Sequence, residues 1–510
     1  MPFQEASVLS KLTARFDRFF FAPTDDRSLA LFRVLYCGSL ACVHLPQMVR
    51  VEHLYASSLS VYFPTPLFFW LGLGQLPLGV VRLAGVVLLG ALLASACGVL
   101  TRLALTLAWI SFFLFYGTIL GFEKPEPPAI SPYTFHYNNV VPFHLFVLSV
   151  SPGIARWGAH ELWRWGREER GLHSARSLTW SVPAWPMLLV KFTLALAYFG
   201  SGLAKVKASG ILWMDGYTLQ AYFLTKHLQE EAWIGDWLAQ SYWACVVLSV
   251  CTLALELSFI IVPFLANRRP LTWVYVIAGL GFHILTAVTM KIVHFLPFMG
   301  LSYLIFLDWP ILQKYDRVFC PRLAKEAEDK CPEQAQASSP PTKGETGTPR
   351  QLWILRGFIG GYLGTLVLCD IVGIELWPFS DYGVFRERAH YSQIHVGQIR
   401  GVDETTRADW LRAWDLGDGF DGWADGADFM RFYMAHSGRT TRMPTMEKNG
   451  DFVRDGPRFL KDFYQRLPPQ TRERFHTLEF VVRSIKMDPS GWLIPSDEVL
   501  FSTDSSGAAE

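Results

Sequence analysis

The stretch YFGSGLAKVKASGILWMDGYTL, residues 198–219, ends an apolar run with two amines, Lys205 and Lys207, and follows them with Trp213. A lysine amine takes up a proton only when it is neutral, a state disfavoured in water at neutral pH and favoured by an apolar pocket. Lys205 is therefore a candidate base. The plainer reading is a cation that snorkels from a helix end to a bilayer surface, with Trp213 as an interfacial aromatic. Other ionisable residues lie in or beside apolar runs, where charge is costly and has a reason: Arg33, Lys191, Glu256 and His283, with His294 at a turn and His136 just before another run. Glu256 needs a partner, structural or functional. Lone histidines among apolar helices commonly bond one helix to another. Those at 136, 283 and 294 have no i, i+4 relation, so no metal site is expected. Gly200 and Gly202 read as a close helix contact, and Arg33 and Lys191, two turns from the opposite helix ends, read as structural.

The elements that hold these residues are apolar. The chain is 51% hydrophobic and 15% aromatic, with a mean hydropathy of +0.22, which points to an integral membrane protein. A net charge of +1 gives no field for nucleic acid. No phosphate-binding glycine loop, HExxH or CxxC motif occurs, so nucleotide chemistry has no support. The polar, basic start lacks the short apolar core of a cleaved signal peptide, so the first apolar helix is expected to direct insertion. About nine segments suit a bilayer span: 28–47, 77–99, 103–122, 137–152, 183–204, 240–265, 271–290, 294–311 and 352–375. With the N-terminus inside, about 19 Lys or Arg fall in cytoplasmic segments and about 6 in the opposite loops, which obeys the positive-inside rule.

The expected fold is an all-α polytopic membrane bundle of about nine transmembrane helices with a small C-terminal soluble α+β domain. Residues 1–27 form a cytoplasmic segment, 28–311 the first eight helices, 312–351 a cytoplasmic linker rich in Pro, Ser, Lys and Glu, and 352–375 the ninth helix. Residues 376–510, with 38 of the chain's 91 charged residues, form an exoplasmic domain. Its YSQIHVGQIRG and TLEFVVRSIKM read as strands; TTRADWLRAW, DFMRFYMAH and GPRFLKDFYQRL read as helices. Six of the eight cysteines lie in apolar segments as free thiols, Cys320 and Cys331 lie in the linker, and no disulfide framework is evident. This topology brings Lys205, His136, His283 and His294 to one level beneath the external domain, with Glu256 deeper.

Four blocks carry a family resemblance: FAPTDDRSLALFR (21–33), YTFHYNNVVPFHLFVLSVSPG (133–153), the 198–219 block and GFHILTAVTMKIVHF (281–295). Together they resemble the membrane region of vitamin K-dependent γ-carboxylases and the wider bacterial HTTM (horizontally transferred transmembrane) group, over roughly residues 15–400. The resemblance implies a bacterial inner-membrane lyase that uses reduced vitamin K or another quinol, O₂ and CO₂. In it a base deprotonates the quinol, which reacts with O₂ to give a strong base; that base opens a glutamate γ-carbon to CO₂, and quinone epoxide leaves. Lys205 matches the family's lysine, with Ala204 where the carboxylases have a second lysine. His283 matches a Phe-His of the family. His136 stands for a histidine of an Asn-Asn-His segment, although the order here is His136-Tyr137-Asn138-Asn139. By the same resemblance Trp213, His294, Tyr198 and Glu256 contact the quinone. The carboxylases continue for several hundred residues beyond the membrane region, in a part that binds a propeptide. Here about 135 residues follow, without the cysteine of the family's inter-region disulfide, so propeptide recognition is not expected.

Three readings follow. An enzyme has Lys205 in a closed pocket with room for a naphthoquinone ring and acts on a glutamate-containing peptide or protein. A non-enzymatic membrane protein binds a lipid or quinone and a periplasmic partner, with Lys205 snorkelling into water. A transporter has a polar path running past Glu256 to the cytoplasmic side.

Overall fold

The computed structural model describes residues 8–57, 60–123, 137–154, 181–230, 232–265, 269–307, 349–372, 393–403, 405, 407–411, 450–487 and 493–503. Seven of its helices are long and apolar enough to cross a membrane. They are α2 (Asp26–Ala56), α4 (Leu78–Cys97), α5 (Thr101–Glu123), α7 (Trp185–Ser209), α10 (Tyr242–Ser258, continued by a 3₁₀ turn Phe259–Phe264), α11 (Arg269–Met290) and α13 (Pro349–Val372). Two expected spans are shorter: α6 (Val140–Val150), and α12 (Phe295–Ser302) with its 3₁₀ extension to Phe306. At 1.5 Å per residue an eleven-residue helix covers about 17 Å, little over half a hydrocarbon core of about 30 Å.

The remaining helices are short or interfacial. Helix α1 (Val8–Phe20) packs Phe19 and Phe20 on Phe192 of α7 and pairs Asp17 with Arg356 of α13. Helix α3 is Pro66–Trp70; α8 (Tyr217–Glu230) and α9 (Trp233–Ala239) follow α7. The α4–α5 hairpin turns on Gly98, whose left-handed φ of 70° lets its N–H cap the α4 carbonyls of Ala94 and Ser95. At the other end of the 240–265 run, Pro263 lacks an N–H, and the helix tightens to 3₁₀ pitch from Phe259.

Helix α7 is the axis of the bundle. Its most apolar window is 78% enclosed by protein, against 17% for α11 and α13, whose outer faces are left to lipid. Close approach there is bought with glycine: a Cβ on Gly200 would lie 2.3 Å from Asp370 of α13, and one on Gly202 would lie 3.0 Å from Glu256 Cβ of α10. A strand pair, β1 (Pro23–Asp25) with β2 (Ser181–Pro183), ties the entry of α2 to that of α7.

The C-terminal region holds an antiparallel sheet of order β4-β3-β5-β6, from β3 (Gln393–Val402), β4 (Ala408–Trp410), β5 (Thr477–Met487) and β6 (Leu493–Ser502), with α14 (Gly450–Arg466) and α15 (Pro469–Arg474). Phe452, Leu460 and Phe463 of α14 pack on Ile399, Phe480 and Phe501 of the sheet. Val61 and Phe63, just past α2, join this core, and β3 touches α8. The small domain therefore sits over the end of the bundle where α2 and α7 finish. The strands at 391–401 and 477–487 and the helix at 456–467 match expectation. The expected helix at 405–414 does not: Ala408–Trp410 is a strand on Arg400–Val402. The open edge of β3 offers it a ladder, and Trp410 lies under the guanidinium groups of Arg400 and Arg483. Strand β6 escapes a pattern reading because Pro495 and Asp497 interrupt it, which an edge strand tolerates. The expected helix at 428–436 and the linker cysteines lie outside the described residues.

Candidate functional site

Lys205 lies in the last two turns of α7 and is 2% exposed. Gly202, one turn earlier, brings α10 close enough for Glu256 to reach it: Lys205 Nζ is 2.8 Å from Glu256 Oε1. Ser201 completes the contact. Its hydroxyl accepts from Lys205 Nζ at 2.8 Å and donates to Glu256 Oε1 at 3.1 Å. The indole of Trp213, from the 3₁₀ turn Gly210–Asp215, lies 5.4 Å from the ammonium position and is itself buried. Both partners are enclosed, with side chains 3% and 4% exposed. Glu256 Oε1 takes both hydrogen bonds, and Oε2 is buried without a partner among the described residues. Lys205 is thus enclosed by protein, and the buried Trp213 covers it.

Seven residues before Lys205, about 10 Å along the helix, Tyr198 forms a second polar knot. Its hydroxyl meets His283 Nε2 at 2.8 Å, the Tyr303 hydroxyl at 2.5 Å and the Gly279 carbonyl at 3.2 Å. The Tyr198 ring stacks on Phe259 at 4.4 Å, so the 3₁₀ turn after α10 fixes its position. His283 stacks in turn on Phe295 of α12.

Both knots open on one cavity between α7, α11 and α12, with an empty volume of about 530 Å³ including its mouth. Tyr198, Ser201, Lys205 and His283 supply its polar atoms; Phe282, Ile292, Phe295 and Met299 supply most of the apolar wall.

The other expected residues fall elsewhere. His294 is half-buried against the Tyr137 ring at 5.5 Å and does not line the cavity. His136 lies outside the described residues. Arg33 donates to the Ile154 carbonyl at 2.6 Å, Lys191 sits over the Phe306 ring, and Lys207 donates to the Asp370 carbonyl. Glu256 meets Lys205 directly, because α7 and α10 come close at Gly202. Sequence reasoning passed over Ser201 and Tyr303. Ser201 carries a usable signal, one turn before Lys205 on the same face; Tyr303, in FLPFMGLSYLIF, carries none. A further cluster also went unread: Arg50 bonds Glu123 at 2.6 Å, and the Tyr137 hydroxyl donates to Glu123 at 2.7 Å. Its charges stand just past apolar runs and look like anchors.

Among the described residues no three His, Cys, Asp or Glu side chains gather as metal ligands. No solved structure matches the chain. The family model of the HTTM domain matches residues 21–309, which include Lys205, Glu256, Tyr198, His283, Trp213 and Tyr303 and every wall of the cavity. With more than half of its length matched, this multi-pass membrane protein belongs to the HTTM domain family.

Proposed function

We propose that the cavity binds a hydroquinone from the bilayer and that Lys205 removes its phenolic proton, the opening step of carboxylase-like chemistry. The observation that carries this reading is a buried Lys–Glu pair opening on an apolar cavity. The residues fit such a ligand. Phe282 and Phe295 offer flat apolar contact to a ring, and Lys205 and His283 line the same cavity with groups that can bond its oxygens. A bound hydroquinone supplies electrons for O₂ and, in the carboxylases, the strong base that opens a glutamate γ-carbon to CO₂.

The chain's own residues do the rest. Passing a proton from Lys205 to Glu256 leaves the pair's net charge at zero and uncovers a neutral amine. That amine takes the ligand's proton, and the resulting ammonium faces the quinolate in a site from which Trp213 keeps water. His283, positioned by Tyr198, holds the ligand's other polar end. In this reading the two short helices complete nine crossings of a bacterial inner membrane, with residues 1–27 cytoplasmic and the 376–510 domain periplasmic. The acceptor is a glutamate-containing peptide presented beneath that domain, near Lys205.

The test is quinone epoxide formation by purified protein given reduced vitamin K, O₂, labelled bicarbonate and a short glutamate peptide. Wild type is expected to form epoxide, and Lys205→Ala to form none above background. A folded, quinone-binding wild type that makes no epoxide overturns the enzyme reading. Lys205 is then a buried structural cation in a protein that binds a lipid or quinone and a periplasmic partner.

A further inference from the structure

We infer that Tyr198 acts as a hydrogen-bond fork that lets His283 present either a bare nitrogen or an N–H to the cavity, matching a ligand oxygen that is a hydroxyl when reduced and a carbonyl when oxidised. This rests on the quinone reading above and adds a reason for the site to hold both redox forms.

The argument is a proton count. Tyr198 has one hydroxyl proton and two lone pairs, and three partners: Tyr303, His283 Nε2 and the Gly279 carbonyl. Among the described residues the Tyr303 hydroxyl meets Tyr198 alone, so its proton goes to the Tyr198 oxygen. The Tyr198 proton then has two takers. Donated to the Gly279 carbonyl, it obliges His283 Nε2 to be the N–H and leaves Nδ1 bare. Donated to Nε2, it leaves the histidine proton on Nδ1. Gly279 loses nothing in the second case, because its carbonyl keeps the helical amide of His283. The two arrangements differ by a hydroxyl rotation and a tautomer, with no change of charge.

The surroundings keep this choice clean. Tyr198, Tyr303 and His283 are 3%, 6% and 4% exposed, so water does not compete. His283 lines the cavity and its Nε2 is taken by Tyr198, so Nδ1 is the nitrogen left for a ligand. The fork also needs glycine at 279: a Cβ there would lie 2.0 Å from the Tyr303 hydroxyl.

The test titrates the full chain in detergent, without O₂, with menadione and with its dithionite-reduced hydroquinone, following binding by calorimetry. Wild type is expected to bind both forms within about threefold. Tyr198→Phe removes the oxygen facing Nε2. A buried N–H without an acceptor is costlier than a bare nitrogen, so the variant locks the proton on Nδ1. Hydroquinone binding should weaken about tenfold, the scale of one buried donor left unpaired, and menadione binding by less than threefold. Should Tyr198→Phe fail to fold, ¹⁵N-histidine spectra of wild type give the same answer. The His283 signals, assigned by their loss in His283→Gln, should exchange protonated and bare positions between the two complexes. Equal effects of Tyr198→Phe on both forms, or the same tautomer in both complexes, overturn the fork and leave the quinone site standing. A wild type that binds neither form sinks the fork and the quinone reading together.

Discussion

The bundle and the external domain treat opposite charges in contrary ways. In the sheet, Arg400 pairs with Glu479, Arg483 with Asp497 and Arg474 with Asp409, and every partner keeps a fifth or more of its side chain in water. In the bundle, Lys205 and Glu256 keep almost none. Exposed pairs gain little and cost little. A buried pair must recover a desolvation cost of several kcal/mol per ion, and apolar residues of the same size would do as well or better. The sheet's ion pairs are therefore surface dressing, whereas the bundle's pair is not accounted for by stability.

Removing one partner should break this contrast most sharply. Lys205→Met leaves Glu256 buried and uncompensated and is expected to cost about 3–5 kcal/mol, read as a large drop in thermal midpoint in detergent. Adding Glu256→Leu should restore most of that loss. A single variant as stable as wild type would mean that the pair is not truly desolvated. Next in size is the spacing that makes the pair. Gly202→Val puts side-chain carbons into Glu256 Cβ and Leu257, 3.0 Å from the ideal Cβ, and should cost about 1–3 kcal/mol by forcing α7 from α10; cross-linking between cysteines placed on the two helices would report the separation.

The sheet sets the lower end. Arg483→Ala loses the Asp497 pair and the Trp410 contact, and should change stability by less than about 1 kcal/mol, less still in high salt. The smallest effect is a titration. The Thr405 hydroxyl and the amides of Arg407 and Thr405 hold Asp403 below its ordinary carboxylate range. Its contribution is complete above the unfolded-state value of about 3.9 and fades as pH falls through the lower folded value. Hydrogen exchange at the Arg407 amide should quicken over that window, and Asp403→Asn should flatten the response.

The legible part of the fold was the part written in long runs. Seven apolar stretches became long helices because a bilayer solvent demands length and internal hydrogen bonding. Strands β3 and β5 and helix α14 followed their periodicities. The short strand at Ala408–Trp410 escaped because its local pattern is helical, and only the free edge of β3 makes extension worthwhile. Of the candidate site, Lys205, Tyr198, Glu256, Trp213 and His283 were singled out as costly or placeable groups, and they meet in pairs around one cavity. His294, expected beside them, meets Tyr137 instead and does not line the cavity. Level follows from counting along helices; which face a residue presents follows from the neighbours that cover it.

By itself the sequence determined that the chain is a multi-pass membrane bundle with a charged appendage, and that an amine closes one of its long apolar segments. Hydropathy, charge asymmetry and segment length are additive along the chain, so no partner need be known. The tertiary structure decided that this amine is buried on Glu256 through Ser201, that Trp213 covers it, and that Tyr303 joins Tyr198 and His283. The contacts of α7 with Glu256, His283 and Tyr303 join positions 51 to 105 residues apart. They depend on helix crossings set by single glycines at 202 and 279, where the presence or absence of one methyl group decides which side chains touch.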